Sequence, residues 1–265
     1  IDRLAWRLTA WMPRQVRLLM IKDLRVFRRD PVQWSQFLIF FGLLALYFVN
    51  IRKFSYGDAN PGWLNMVSFL NLAVVGLILS TFTTRFVFPM ISLEGSRFWI
   101  LGLLPVRRDA ILWGKFFFAA FGALIPCTLL VLLSDLMLRI GNLILIVHQL
   151  ACIVLCFGLA GIAVGLGAKM PDLREQSPSK IAAGFGGTLN LVLSAVYILA
   201  IVVMTALPCH FYSAAQANPG ANFAIDPADL LHWIYFGTGG ALFLGLNATL
   251  VPLVIGLRAF RRMEF

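Results

Sequence analysis

Residues 140–168 read IGNLILIVHQLACIVLCFGLAGIAVGLGA, a run with no Asp, Glu, Lys or Arg between Arg139 and Lys169. A helix needs about 20 apolar residues to cross the hydrocarbon of a bilayer, and one charged side chain at its middle costs about 2.5 to 3.5 kcal/mol. The run meets both conditions. Five more charge-free windows flank it, between Asp30 and Arg52, Asp58 and Arg85, Lys115 and Asp135, Lys180 and Asp226, and Asp229 and Arg258. The window after Lys180 is too long for one helix. Pro208 and the polar residues Asn218, Pro219, Gly220 and Asn222 are expected to end it early, leaving a helix from Phe185 to Leu207. The predicted fold is therefore all-α, a polytopic membrane protein with six transmembrane helices over residues 32–265, preceded by an amphipathic segment over residues 1–31.

Composition agrees. Of 265 residues, 60% are hydrophobic and 13% charged, about half the charged share of a soluble domain, so lipid must cover much of the surface. The net charge of +10 would fit nucleic acid only if the basic residues shared a water-facing patch. They lie beside apolar runs instead, and no nucleic-acid partner is expected. Cys127, Cys152, Cys156 and Cys209 lack metal-site or disulfide-scaffold spacing and read as packing residues. No signal peptide is expected.

Lys and Arg distribution sets the orientation. Nineteen of the 22 fall in the N-terminal segment, the second-to-third loop, the fourth-to-fifth loop and the tail, whereas the alternate loops hold only Arg52, Lys53 and Arg139. The positive-inside rule assigns the nineteen, and both termini, to the cytoplasm. Residues 14–29 form a separate element: at 100° per residue, Arg14, Arg17, Lys22, Arg25, Arg28 and Arg29 share an arc of about 140°. Val16, Leu19, Met20, Leu24, Val26 and Phe27 lie opposite, with Leu18, Ile21 and Asp23 as exceptions. This sorting predicts an interfacial amphipathic helix, its basic face toward anionic lipid and its apolar face among acyl chains.

Little in the chain suggests catalysis. The phosphate-binding pattern G-x-x-x-x-G-K-[ST] is absent, and Gly184, Gly186 and Gly187 open an apolar helix without a following lysine. No cofactor or metal is expected in this chain, and it is not expected to be an enzyme. The small residues Gly161 and Gly165, and Ala241 and Gly245, four apart, predict close helix contacts. His148, His210 and His232 map near the outer face. Asp135 and Arg139 at i, i+4 read as a solvated or interfacial salt bridge. With no ionisable residue at mid-helix, an ion-coupled secondary transporter is disfavoured.

Two cytoplasmic loops remain. The first carries Glu94, Gly95, Arg97, Phe98, Trp99 and Pro105 and reads as a short helix pressed along the membrane, its aromatic pair a candidate docking anchor. The second, with Pro171, Asp172, Arg174 and Glu175, is a compact polar turn. The segments LEGSRFWILGLLPVRRDAILWGK (93–115) and PDLREQSPSKIAAGFGGTLNLVLS (171–194), with the topology around them, resemble the membrane (permease) subunit of bacterial type-2 ABC exporters across nearly the whole chain.

That resemblance implies a bacterial plasma (inner) membrane protein coupled to a separate ABC ATPase subunit or domain, which holds ATP and Mg. The first loop would be the ATPase-coupling surface and the second a further cytoplasmic contact. It also implies a second six-helix unit, expected to be another copy, a paralogue or the other half of a longer polypeptide. The alternatives are a non-transporting membrane scaffold or an ion-coupled transporter.

Overall fold

The structure, a computed structural model, describes residues 12–29, 61–97, 107–217 and 227–262, with isolated positions among the first sixty. Among the described residues all regular structure is helical: α1 (Arg14–Arg29), α2 (Pro61–Phe82), α3 (Arg108–Met137), α4 (Asn142–Lys169), α5 (Pro178–Ala183), α6 (Phe185–Ala217) and α7 (Pro227–Arg261). Five stretches are long and apolar enough to span a bilayer, namely Gly62–Glu94, Arg108–Met137, Asn142–Lys169, Phe185–Gln216 and Asp229–Arg261. They match the second to sixth predicted windows. The first, between Asp30 and Arg52, lies for the most part outside the described residues.

The spans alternate in direction, so the bundle has two ends. Lys115, Lys169, Lys180, Arg258 and Arg261 lie toward one, the basic end; Asn65, Asp135, His148 and Ser213 lie toward the other. Helix α4 is the centre: 61% of its apolar window is buried, against 28% for α6 and α7. It packs on α7, α3 and α6. Phe236, Phe243 and Leu246 on α7 and Val196 and Leu199 on α6 are left exposed, as suits faces meant for lipid. All four cysteines are buried and free of disulfides.

Small residues explain how closely α4 and α7 approach. A Cβ on Gly161 would stand 2.7 Å from the Cα of Thr249, and one on Gly256 would stand 2.5 Å from the carbonyl oxygen of Gly165. The pairs seen in the sequence thus belong to one seam, on which Gly245 also meets Val154.

Three sequence expectations change. Helix α6 does not end at Leu207 but continues through Pro208 to Ala217. Proline costs the ladder one N–H and crowds the carbonyl four residues back; here that carbonyl, on Met204, lies against Gly237 of α7, where lack of a side chain admits it. The second span does not stop at Arg85. A π-helical turn (Thr83–Val87) and a 3-10 turn (Phe88–Met90) carry the chain on to Glu94, with Pro89 supplying the break in the ladder. Arg85 is exposed and stands about 35 Å along the axis from Gly62 at 1.5 Å per residue, near the interface rather than mid-bilayer.

Asp135 does not pair with Arg139. Arg139 sits at φ 54° in the turn that closes α3, where Ile140 N–H bonds the Asp135 carbonyl at 3.1 Å. The left-handed residue swings the chain off the helical path, so i, i+4 geometry is lost. Asp135 is instead 1% exposed, bonded to Ser68 and His148.

Candidate functional site

The side chains that gather at the basic end come from three elements. Helix α1 supplies Lys22 and Asp23, α3 supplies Lys115, and the 3-10 segment Ser92–Arg97 supplies Glu94. Lys22 Nζ donates to Glu94 Oε1 at 2.6 Å and Lys115 Nζ to the same oxygen at 2.9 Å. Asp23 lies 3.2 Å from Lys22 and 3.9 Å from Lys115. Two cations and two anions thus balance in a place where the Lys115 side chain is only 3% exposed.

Local geometry dictates the convergence. The π and 3-10 turns leave helical carbonyls without a partner four residues on, and Lys115 Nζ reaches one of them, Met90 O, at 3.3 Å. On α1, Val16 and Leu19 are buried where α1 packs on α3, with Gly114 beside the Leu19 Cβ. That part of the apolar face therefore meets protein rather than acyl chains, and Asp23, an exception on the wheel, points inward because its partners are there. Burial would push the Lys22 ammonium down, but the Asp23 and Glu94 carboxylates outweigh it and hold Lys22 above its ordinary range.

The second loop closes on the first. Ser92 Oγ accepts the Asp172 N–H at 3.0 Å. Asp172 Oδ1 accepts the N–H groups of Arg174 and Glu175 at 3.1 and 3.3 Å, an Asx turn that makes the loop compact. Glu175 Oε1 takes the N–H groups of Gln176 and Ser177, both at 3.0 Å. The Ser177 N–H above all, with Lys180 adding to it, holds the Glu175 carboxyl below its ordinary range. Across the same end, Arg261 forks onto Asp109, its Nε at 2.8 Å from Oδ1, and Arg108 bonds the Arg261 carbonyl at 3.0 Å. A cavity of about 520 Å³ opens beside the charge cluster, lined also by Phe27, Phe86, Phe118 and Pro178.

The predicted site residues therefore separate. Glu94 belongs to an internal ion network and is not a free docking side chain. Gly95 and Arg97 continue the 3-10 turn; Phe98, Trp99 and Pro105 lie outside the described residues. Asp172, Arg174 and, half-buried, Pro171 and Glu175 form the surface turn joined to Ser92. Of the basic residues, Arg14, Arg25, Arg28 and Arg29 are exposed, Arg17 lies 3.7 Å over the Trp6 ring, and Lys22 turns into the cluster. Sequence reasoning missed Asp23, Lys115 and Ser92 as partners. The signals were an acid out of place on the wheel and a lysine directly before a long apolar run.

A family model described as "putative ATP-binding cassette" matches residues 1–265. No curated protein and no solved structure matches the chain.

Proposed function

The chain belongs to that ATP-binding cassette family, and from this we propose that it is the membrane-spanning permease unit of an ATP-driven exporter, moved by a separate ATPase chain or domain. The observation that carries the reading is the joined surface at the basic end. There Ser92 bonds the Asp172 turn, and Glu94 in the same segment ties α1 to α3, so a push on either loop is passed on through short, partly buried links. Two further observations support it. Five helices can span a bilayer, and the phosphate-binding loop that an ATP site needs between strand and helix is absent from the sequence. ATP and Mg then belong to the partner, and the basic end is cytoplasmic. A second six-helix unit completes the pathway, and α1 meets anionic lipid through Arg14, Arg25, Arg28 and Arg29.

The test is recovery of an ATPase with the tagged full chain from its native membrane, with its turnover measured in lipid. Replacing Phe98 and Trp99 by Ala, or Asp172 and Arg174 by Ala, is expected to cut the chain's stimulation of that ATPase at least about fivefold in correctly inserted protein, as loss of hot-spot side chains does. Unchanged capture, stimulation and export in both variants would remove the coupling role. One observation favours the ion-driven alternative, the buried acid Asp135 with its imidazole partner. Uptake into ATP-free vesicles under an imposed pH gradient would assign the energy to protons.

A further inference from the structure

At the end opposite the charge cluster, α2, α3 and α4 meet through Ser68, Asp135 and His148. Ser68 Oγ donates to Asp135 Oδ1 at 2.5 Å, and His148 Nδ1 lies 3.0 and 3.1 Å from the two carboxylate oxygens and 3.0 Å from Ser68 Oγ. Asp135 is 1% exposed and His148 0%. The arrangement is not a nucleophile relay, because one ring nitrogen faces both the acid and the hydroxyl. The other, His148 Nε2, is buried without a partner, and the Phe69 ring stands edge-to-face with the imidazole at 4.1 Å.

We propose that this trio is a proton-binding site that locks α2, α3 and α4 together, and that loss of its proton opens this end of the bundle. With a carboxylate and a neutral imidazole the site carries one uncompensated negative charge away from water. One added proton, which Nε2 can take, makes it neutral and lets the pair stay dry. Among the described residues none supplies the missing charge. Helix α2 has no charged residue, Lys115 and Lys169 lie at the far ends of α3 and α4, on α6 His210 is exposed and Tyr212 half-buried, and on α7 Asp229 and His232 are exposed. Arg139 is exposed in the turn. An ionisable residue inside a spanning helix, facing the bundle, marks a functional pathway by default.

A polar cavity opens one helical turn from the trio. Asn65, one helical turn before Ser68, is 1% exposed with Oδ1 unpartnered, and it lines a cavity of about 440 Å³ shared with Arg139 and Gln216. Release therefore sends the proton from His148 toward that cavity and leaves the carboxylate to be hydrated, which parts the helices.

The inference rests on the membrane-pathway reading, under which this end faces outward. Its test needs no ATPase: spin labels on cysteines at the exposed positions Trp63 and Asn142, on α2 and α4, report their separation in the full chain in nanodiscs. The native cysteines are buried, and the chain without the added pair checks that they stay unlabelled. The fraction of long distances is expected to rise at least about threefold from pH 5.5 to 8.5 in the labelled parent, following proton linkage, and to be flat in H148Q and D135N. A flat parent, or the parent's slope in both variants, would overturn the proposal. Should H148Q not fold, D135N decides, since Asn keeps the shape and still accepts from Ser68. A pH response in a chain that captures and stimulates no ATPase would sink the exporter reading and leave the proton site standing.

Discussion

Removing the ammonium of Lys115 leaves Glu94 and Asp23, both mostly buried, with Lys22 as their remaining cation among the described residues. Breaking a buried pair from one side costs about 3 to 5 kcal/mol; because Lys22 remains, K115M is expected to cost about 3 kcal/mol. The E94Q, K115M double variant, which removes one charge of each sign, is expected to be less destabilised than the single. A thermal-unfolding cycle in detergent checks both, and simple additivity would show that the two groups do not interact. Lys22 also has a defined pH behaviour. Its ammonium is held above the ordinary value of 10.5, so its contribution is complete below that pH and is lost only as pH rises through the higher folded value. The stability difference between the parent and K22M is therefore expected to stay constant from pH 6 to 9. A difference that shrinks steadily over that range would contradict the ion network.

The seam between α4 and α7 makes an element-scale prediction. A methyl at Gly161 would meet the Thr249 backbone, which cannot swing aside, so G161A is expected to destabilise by about 2 kcal/mol through overpacking. Gly239 on α7 has open space where a Cβ would stand. G239A should be neutral or gain up to about 1 kcal/mol from the better helix former. Equal effects of the two substitutions on the unfolding midpoint would mean that the helices do not approach as described. Such contacts were half legible in advance, since small residues four apart announce a close approach but not its partner. The continuation of α6 past Pro208 was not legible, because it depends on what lies beside the freed Met204 carbonyl.

For the molecule as a whole, the polarity of the bundle and the Lys and Arg pattern lead to one prediction, that the basic end is inside. Single cysteines at the exposed positions Ser179 and Gln216, in a background whose native cysteines are buried, are expected to differ about tenfold in labelling by an impermeant thiol reagent applied to intact cells, with Gln216 the more reactive, because the bilayer bars the reagent. Faster labelling of Ser179 would reverse the orientation.

What the sequence alone determined is what one-dimensional patterns can carry. A charge-free window of sufficient length specifies a spanning helix because hydrocarbon leaves the backbone no other partner than itself. Five such helices stand where the second to sixth windows predicted them, and Lys115, Lys169, Lys180, Arg258 and Arg261 gather at one end of the bundle. Only tertiary structure decided which charges are internal. Glu94 read as part of a coupling surface beside an exposed aromatic pair, and Asp135 as half of a solvated or interfacial pair. Yet Glu94 lies between lysines 72 and 21 residues away, and Asp135 bonds a serine 67 residues distant. A charged group at the edge of an apolar run reads the same whether it faces water or a distant partner. Which it meets is settled by how the helices pack, because a buried charge persists only where opposite charge and hydrogen bonds converge on it.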